Sequence, residues 1–220
     1  MLVRGCSSVS ACVCLVSILT NPFSLHVVSW CSTHPGSYTP TATSWLGVAL
    51  ASDQIPGSLE ATRAALIAAN RLDKTNGKVW GQLALNCFRR GSQQLDSGGD
   101  SDDGTNAARS LELADISLAY ALKFGLRDAN TLFELGLCYK RSEQYGRAEE
   151  LLRRSLAARE SAQTRVHYAQ VLLAQNRDAD ALQQYRAALH HHNVDDGDAD
   201  PALAKRIGQR INELVALLGQ

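Results

Sequence analysis

Small residues recur along this chain at a nearly fixed interval, and that recurrence limits the folds open to it. Ala114, Ala148 and Ala181 stand 34 and 33 residues apart. Each opens the same pattern. Ala148 is followed by Leu152 and Ser155, Ala114 by Leu118 and Ala121, and Ala181 by Tyr185 and Ala188. Residues at i, i+4 and i+7 share one face of a helix. Upstream of two of these alanines lies another helical face: Trp80, Leu83 and Ala84 in one case, Leu132, Leu135, Gly136 and Tyr139 in the other. A paired-helix unit repeated at such a period cannot bury its apolar face alone, so it must stack on its neighbours.

The best-formed unit runs from about Ala129 to Glu160. Leu132, Leu135, Gly136 and Tyr139 line its first helix, the turn falls at Ser142–Gly146, and Ala148, Leu152 and Leu156 face back from the second. This resembles the tetratricopeptide repeat family, whose pattern is W-x2-L-G-x2-Y followed by A, F and A. Leu132 replaces Trp, Ser155 replaces the last Ala, and Glu160 stands where Pro is usual. The resemblance implies an all-α helix–turn–helix solenoid of three to four units that binds other proteins rather than catalysing a reaction.

The preceding unit places Trp80, Leu83, Ala84 and Cys87 at the same four positions, with Arg90-Gly91 as its turn. Ala114 then arrives 18 residues late, because Trp80 and Leu132 are 52 apart rather than 34. The acidic, Gly/Ser-rich segment 92–109 is therefore expected to be a disordered insert. Its aspartates lack the remaining ligands of a calcium loop. A third unit spans about Ala162 to His192, with Tyr168, Ala169 and Leu172 on its first helix. Asn176-Arg177-Asp178 makes its turn, and Ala181, Leu182, Tyr185 and Ala188 lie on its second helix. An earlier unit is expected from Trp45, Val48 and Ala49, a turn at Ile55-Pro56-Gly57, and then Thr62, Leu66 and Ala69. The array thus occupies 45–192. Residues 201–220 form a capping helix: Asp200 suits the N-cap and Pro201 the first turn. Leu203, Ile207, Ile211, Leu214 and Leu218 make its apolar stripe, with Lys205, Arg206, Gln209 and Arg210 assigned to solvent.

Charge separates this array from what precedes it. Of 44 charged residues only Arg4 and Asp53 fall within residues 1–58, and formal net charge is zero. A neutral chain offers no footprint for nucleic acid, which needs clustered Lys and Arg. Residues 1–44 read as a neutral leader and linker, ending in a Pro/Gly/Ser/Thr stretch at 32–44. The apolar run Val9–Leu19 leaves three readings open: a cleaved secretory signal, a weak membrane anchor, or an unstructured extension. The last is favoured, because the run is short for a span and no small-x-small cleavage site follows it. Cys12-x-Cys14 is a poor zinc spacer. Cys87 and Cys138 read as buried core thiols, compatible with a reducing compartment.

No chemistry-bearing constellation emerges. His190, His191 and His192 are consecutive and diverge by about 100° each on a helix, so they do not converge on a metal. Asp196-Gly-Asp198-Ala-Asp200 imitates half a calcium loop, but Ile207 stands where the closing Glu belongs. Glu149-Glu150 with Arg153-Arg154 reads as helix-face ion pairing. Phosphate loops, nucleophile elbows and His-Glu-x-x-His motifs are missing from the sequence. No enzyme activity and no cofactor are expected.

In tetratricopeptide proteins the first helices line a concave groove. The resemblance therefore implies a wall of Leu85, Phe88 and Arg89, then Phe133, Leu137, Lys140 and Arg141, then Val166, Gln170 and Leu173. Packing between helices is the alternative for the apolar ones. An exposed wall of this kind suits an amphipathic helix or apolar peptide. The Lys and Asn by which chaperone-binding members hold a peptide terminus are replaced here by Gly81 and Leu85, and by Phe133 and Leu137. The segments Gly77–Leu83, Leu113–Asp115 and Tyr120–Asp128 resemble the C-terminal repeats of a cilia- and flagella-associated axonemal protein. That resemblance implies a structural role in cilia or flagella and a cytoplasmic location. A secreted or membrane-tethered repeat protein, or a regulatory subunit of an enzyme complex, are the alternatives.

Overall fold

The computed structural model describes residues 59–96, 101–195 and 201–219, together with Thr41, Trp45, Gly47 and Ala49. Among the described residues the chain is all-α: α1 Leu59–Leu72, α2 Gly77–Asp96, α3 Ser101–Lys123, α4 Ala129–Arg141, α5 Tyr145–Ala158, α6 Ala162–Ala174, α7 Asp178–Asp195 and α8 Pro201–Leu218. Consecutive helices pair as tetratricopeptide-like hairpins. The chain divides into two compact units, through Phe124 and from Gly125. The expected leader at 1–44, Val48, the Ile55-Pro56-Gly57 turn, Asp196-Gly-Asp198 and Asp200 lie outside the described residues, apart from Thr41.

In the first unit α1 buries Thr62, Ala65, Leu66 and Ala69, which include the spacing expected of a second helix. They form a core with Ala49, Val79 and Leu83, against which Trp45 and Trp80 pack. Trp45 and Ala49 are helical, as the reading of an earlier first helix requires. A tight polar turn follows α1. Asp73 Oδ1 accepts hydrogen bonds from the Thr75 amide at 2.9 Å and its hydroxyl at 2.7 Å. Asn76 then caps α2, its Oδ1 accepting from the amides of Lys78 and Val79 at 3.1 and 3.3 Å.

The described residues of the interruption at 92–109 are helical. Residues 92–96 finish α2, and 101–109 begin α3. Arg90-Gly91 is not the turn either, because Gly91 is buried within α2. A Cβ placed on Gly91 would come within 3.0 Å of Leu111 and 3.3 Å of the Ala107 carbonyl. Ser110 Oγ donates to Gln94 Oε1 at 3.2 Å farther along the same interface. The pair is thus an antiparallel hairpin extended at both inner ends by about two turns. Gly77, Ala84 and Gly91 are buried at intervals of seven on α2. Ala107, Ala114 and Ala121 answer at intervals of seven on α3, each with no exposed surface. Of the 18 extra residues, five extend α2 and nine extend α3. Their Gly, Ser and Asp content masks the stripe Ala107, Leu111, Ala114, Leu118.

In the second unit α4 is capped by Asp128, whose Oδ2 accepts from the Thr131 amide at 3.0 Å and its hydroxyl at 2.7 Å. The two hairpin turns share one geometry. Glu143 and Asn176 both take positive φ, 58° and 59°. The next amide closes back onto the preceding helix, Gln144 N to Tyr139 O and Arg177 N to Leu172 O, each at 3.0 Å. Ser155 replaces the family's small apolar residue without leaving a polar group unpaired, since its Oγ donates to the Ala129 carbonyl at 2.8 Å. Ala169, Leu172, Ala181, Leu182, Tyr185 and Ala188 form a core that Ile207 and Leu214 of α8 complete. Glu150 pairs with Arg153 and Arg154 at 2.5 and 2.6 Å, whereas Glu149 reaches forward to Arg177 at 2.8 Å.

The close approach of α4 and α5 rests on Gly136. A Cβ there would lie 2.9 Å from two carbons of Leu152, which is fully buried and has no room to withdraw. Gly136→Ala gains about 1 kcal/mol in helix propensity. Overpacking costs about 1–3 kcal/mol and wins. Gly208 in α8 meets nothing within 4 Å. Gly136→Ala is expected to lower the urea midpoint and Gly208→Ala to raise it, the latter by about 0.5–1 kcal/mol. Equal stabilisation by both would show that the hairpin does not depend on this contact.

Candidate functional site

The first helices of successive hairpins, α4 and α6, pack against one another in the second unit. This brings Phe133 and Lys140 of α4 beside His167 and Gln170 of α6. The Phe133 and His167 rings lie 5.5 Å apart in a tilted arrangement. Lys140 Nζ donates to Gln170 Oε1 and lies 3.4 Å from His167 Nδ1, which is 3.2 Å from the same Gln170 oxygen. Burial lowers the Lys140 ammonium pKa. Burial, and then the Lys140 charge, lowers the His167 pKa despite the hydrogen bond to Gln170. A neutral imidazole accepts at Nδ1 from the ammonium when its proton is on Nε2, or donates from Nδ1 to Gln170 Oε1 when the proton is there; either tautomer presents an aromatic face to Phe133.

Beyond this cluster a cleft of about 760 Å³ opens between α6 and α8. Val166, His167 and Gln170 line it from α6, Tyr185 from α7, and Leu203, Arg206, Ile207, Arg210 and Glu213 from α8. Tyr185 is 1% exposed, and its hydroxyl has no hydrogen-bond partner. Burial raises the phenol pKa, with Arg210 and Glu213 pulling in opposite directions. Arg210 pairs with Glu213 at 2.7 Å. Arg206 donates to the Ala202 carbonyl at 3.4 Å and has no carboxylate partner among the described residues. A smaller hollow of about 240 Å³ lies on the other side of Phe133, bordered by Asn130, Arg159 and Thr164.

The expected wall is therefore present only in part. Phe133, Leu137, Lys140, Val166, Gln170 and Leu173 are half-buried and Arg141 is exposed. Val166 and Leu173 also pack against the core of the second unit. Leu85 and Phe88 do not serve as wall residues, because they are 3% and 4% exposed. They lie on α2, which contacts both α1 and α3 and is buried round most of its circumference. Arg89 is half-buried. His167, Tyr185, Arg206 and Arg210 join the site from outside the expected wall. Spacing assigns Tyr185 to the core, which is right for its ring and silent about its hydroxyl. The stripe pattern assigns Arg206 and Arg210 to solvent, and both are exposed, at the rim of the cleft.

Burial pushes the Cys87 thiol pKa up, against the pull of Arg63 and Arg90, so it is not an activated nucleophile. Among the described residues no group of three or more His, Cys, Asp or Glu is placed to hold a metal. No helix among them is long and apolar enough to cross a membrane.

No protein-family model matches the chain, and neither does any curated protein. Solved structures similar to it include TTC0263, a thermophilic TPR protein of Thermus thermophilus, with 17% identity and a TM-score of 0.36. That similarity covers 78% of this chain and 99% of the other. The Cut9–Hcn1 hetero-tetramer of APC/C is 17% identical over 91% of this chain and 42% of the other, with a TM-score of 0.33. Acl4, an assembly chaperone of RpL4, is 12% identical over 96% and 98%, with a TM-score of 0.34. TM-scores this low carry no argument; the hairpin architecture stands on the packing described above.

The His167 environment has a measurable consequence. Its folded pKa lies below the ordinary value of about 6.5, so the unfolded chain takes up the proton first as pH falls. The stability associated with neutral His167 is present above that ordinary value and is lost as pH falls through the lower, folded one. NMR titration of the His167 ring should show the lowered pKa. Lys140→Met should raise it part of the way, since the charge is removed and the burial remains. An unchanged value would place the ammonium away from the imidazole.

Proposed function

We propose that this chain is a non-catalytic protein-interaction scaffold whose binding surface is the wall formed by α4, α6 and α8 in the second unit. The observation that carries this is the half-buried array of Phe133, Leu137, Val166 and Gln170, continuous with the cleft lined by α8. Stacked hairpins commit their small residues to the core and leave the first-helix faces for partners. An amphipathic helix fits such a wall, its apolar residues against Phe133, Leu137 and Val166 and its polar edge toward Lys140 and Arg141.

Within this reading the chain works in the cytoplasm. A structural role in cilia or flagella is supported by the resemblance of residues 77–83, 113–115 and 120–128 alone. Tagged full chain is expected in the axonemal fraction of ciliated cells if that role holds; exclusion from the axoneme would remove it and leave the scaffold reading intact.

Proximity labelling with the full chain and with a Phe133→Ala, Leu137→Asp double variant tests the scaffold. The folded variant, checked by circular dichroism, is expected to lose most of the labelled partners. An unchanged partner set would place binding elsewhere on the chain.

A further inference from the structure

The cleft between α6 and α8 holds one buried polar atom that packing leaves unpaired, with two exposed guanidinium groups at its rim. Buried side-chain hydroxyls nearly always find a partner. Tyr185 Oη is buried at the cleft without one. Two exposed guanidinium groups flank the same cleft, and among the described residues Arg210 is matched by the Glu213 carboxylate at 2.7 Å. Arg206, held by a hydrogen bond to the Ala202 carbonyl, has no carboxylate partner among them. Val166, Leu203 and Ile207 supply apolar surface beside these donors.

Resting on the scaffold reading above, we infer that this cleft seats the side-chain carboxylate of an Asp or Glu in a bound peptide. Arg206 is its principal cation, Arg210 its second, and Tyr185 Oη a neutral donor. A guanidinium fork matches a carboxylate geometrically and holds it more firmly than a neutral acceptor. One unmatched guanidinium balances one carboxylate, whereas a phosphate group carries about two negative charges at neutral pH. The apolar floor seats the neighbouring residues of the peptide. The capping helix thereby becomes part of the binding wall and contributes two guanidinium groups to it.

Phage-displayed peptides of about twelve residues, selected on the full-length chain at low salt, test this. Recovered sequences are expected to be enriched roughly threefold or more in Asp and Glu over the starting library. A synthetic peptide of the recovered consensus should bind about tenfold more weakly to Arg206→Glu, and equally so when its acid is replaced by the amide. Tyr185→Phe should weaken binding roughly threefold while leaving the thermal midpoint unchanged or higher, because the hydroxyl has no partner in the free protein. A merely structural tyrosine would instead lower the midpoint. Peptides recovered without acidic enrichment and indifferent to Arg206→Glu would overturn the carboxylate seat and leave the wall standing. Recovery of no peptide would overturn both.

Discussion

Close backbone approach at small residues is the constraint on which the rest depends. Gly136 lets Leu152 lie against the α4 backbone, and Gly91 does the same for Leu111 on α2. A methyl at either point meets a carbon at 3.0 Å or less. Interiors packed at this density do not absorb such a group without moving a helix. Helix spacing in turn fixes which side chains reach the outer wall. Phe133 meets His167, and Lys140 meets Gln170, because α4 and α6 are each held by their own return helix.

The same rule accounts for the long hairpin of the first unit. Small residues at intervals of seven on both partners let α2 and α3 run on together. A length of chain that composition alone assigns to a loop becomes two further turns of packed helix. The addition lengthens both helices of the hairpin, by five residues on α2 and nine on α3.

Much of the second unit is legible in the sequence. The stripes Leu132/Leu135/Gly136/Tyr139 and Ala148/Leu152/Leu156 are buried as their spacing requires. So are Ile207 and Leu214 of the capping helix. The candidate site is legible only in part. Register distinguishes a core face from its opposite, but residues such as Leu85 and Phe88 lie between the two. Whether they emerge depends on what packs over that flank of the helix, and on α2 the flank is buried. The segment 92–109 reads as a loop because its Gly, Ser and Asp residues outnumber the apolar ones.

By itself the sequence determined the hairpins of the second unit and most of the residues that face inward, because periodicity and residue size act locally. The tertiary structure decided which outward residues converge. Lys140 and Gln170 lie 30 positions apart, and Tyr185 and Arg206 lie 21 apart. Their meeting follows from the placement of whole helices, to which distant contacts contribute. The unpaired Tyr185 hydroxyl is the clearest case: spacing put the ring in the core, and only the packing of α8 left its oxygen without a partner.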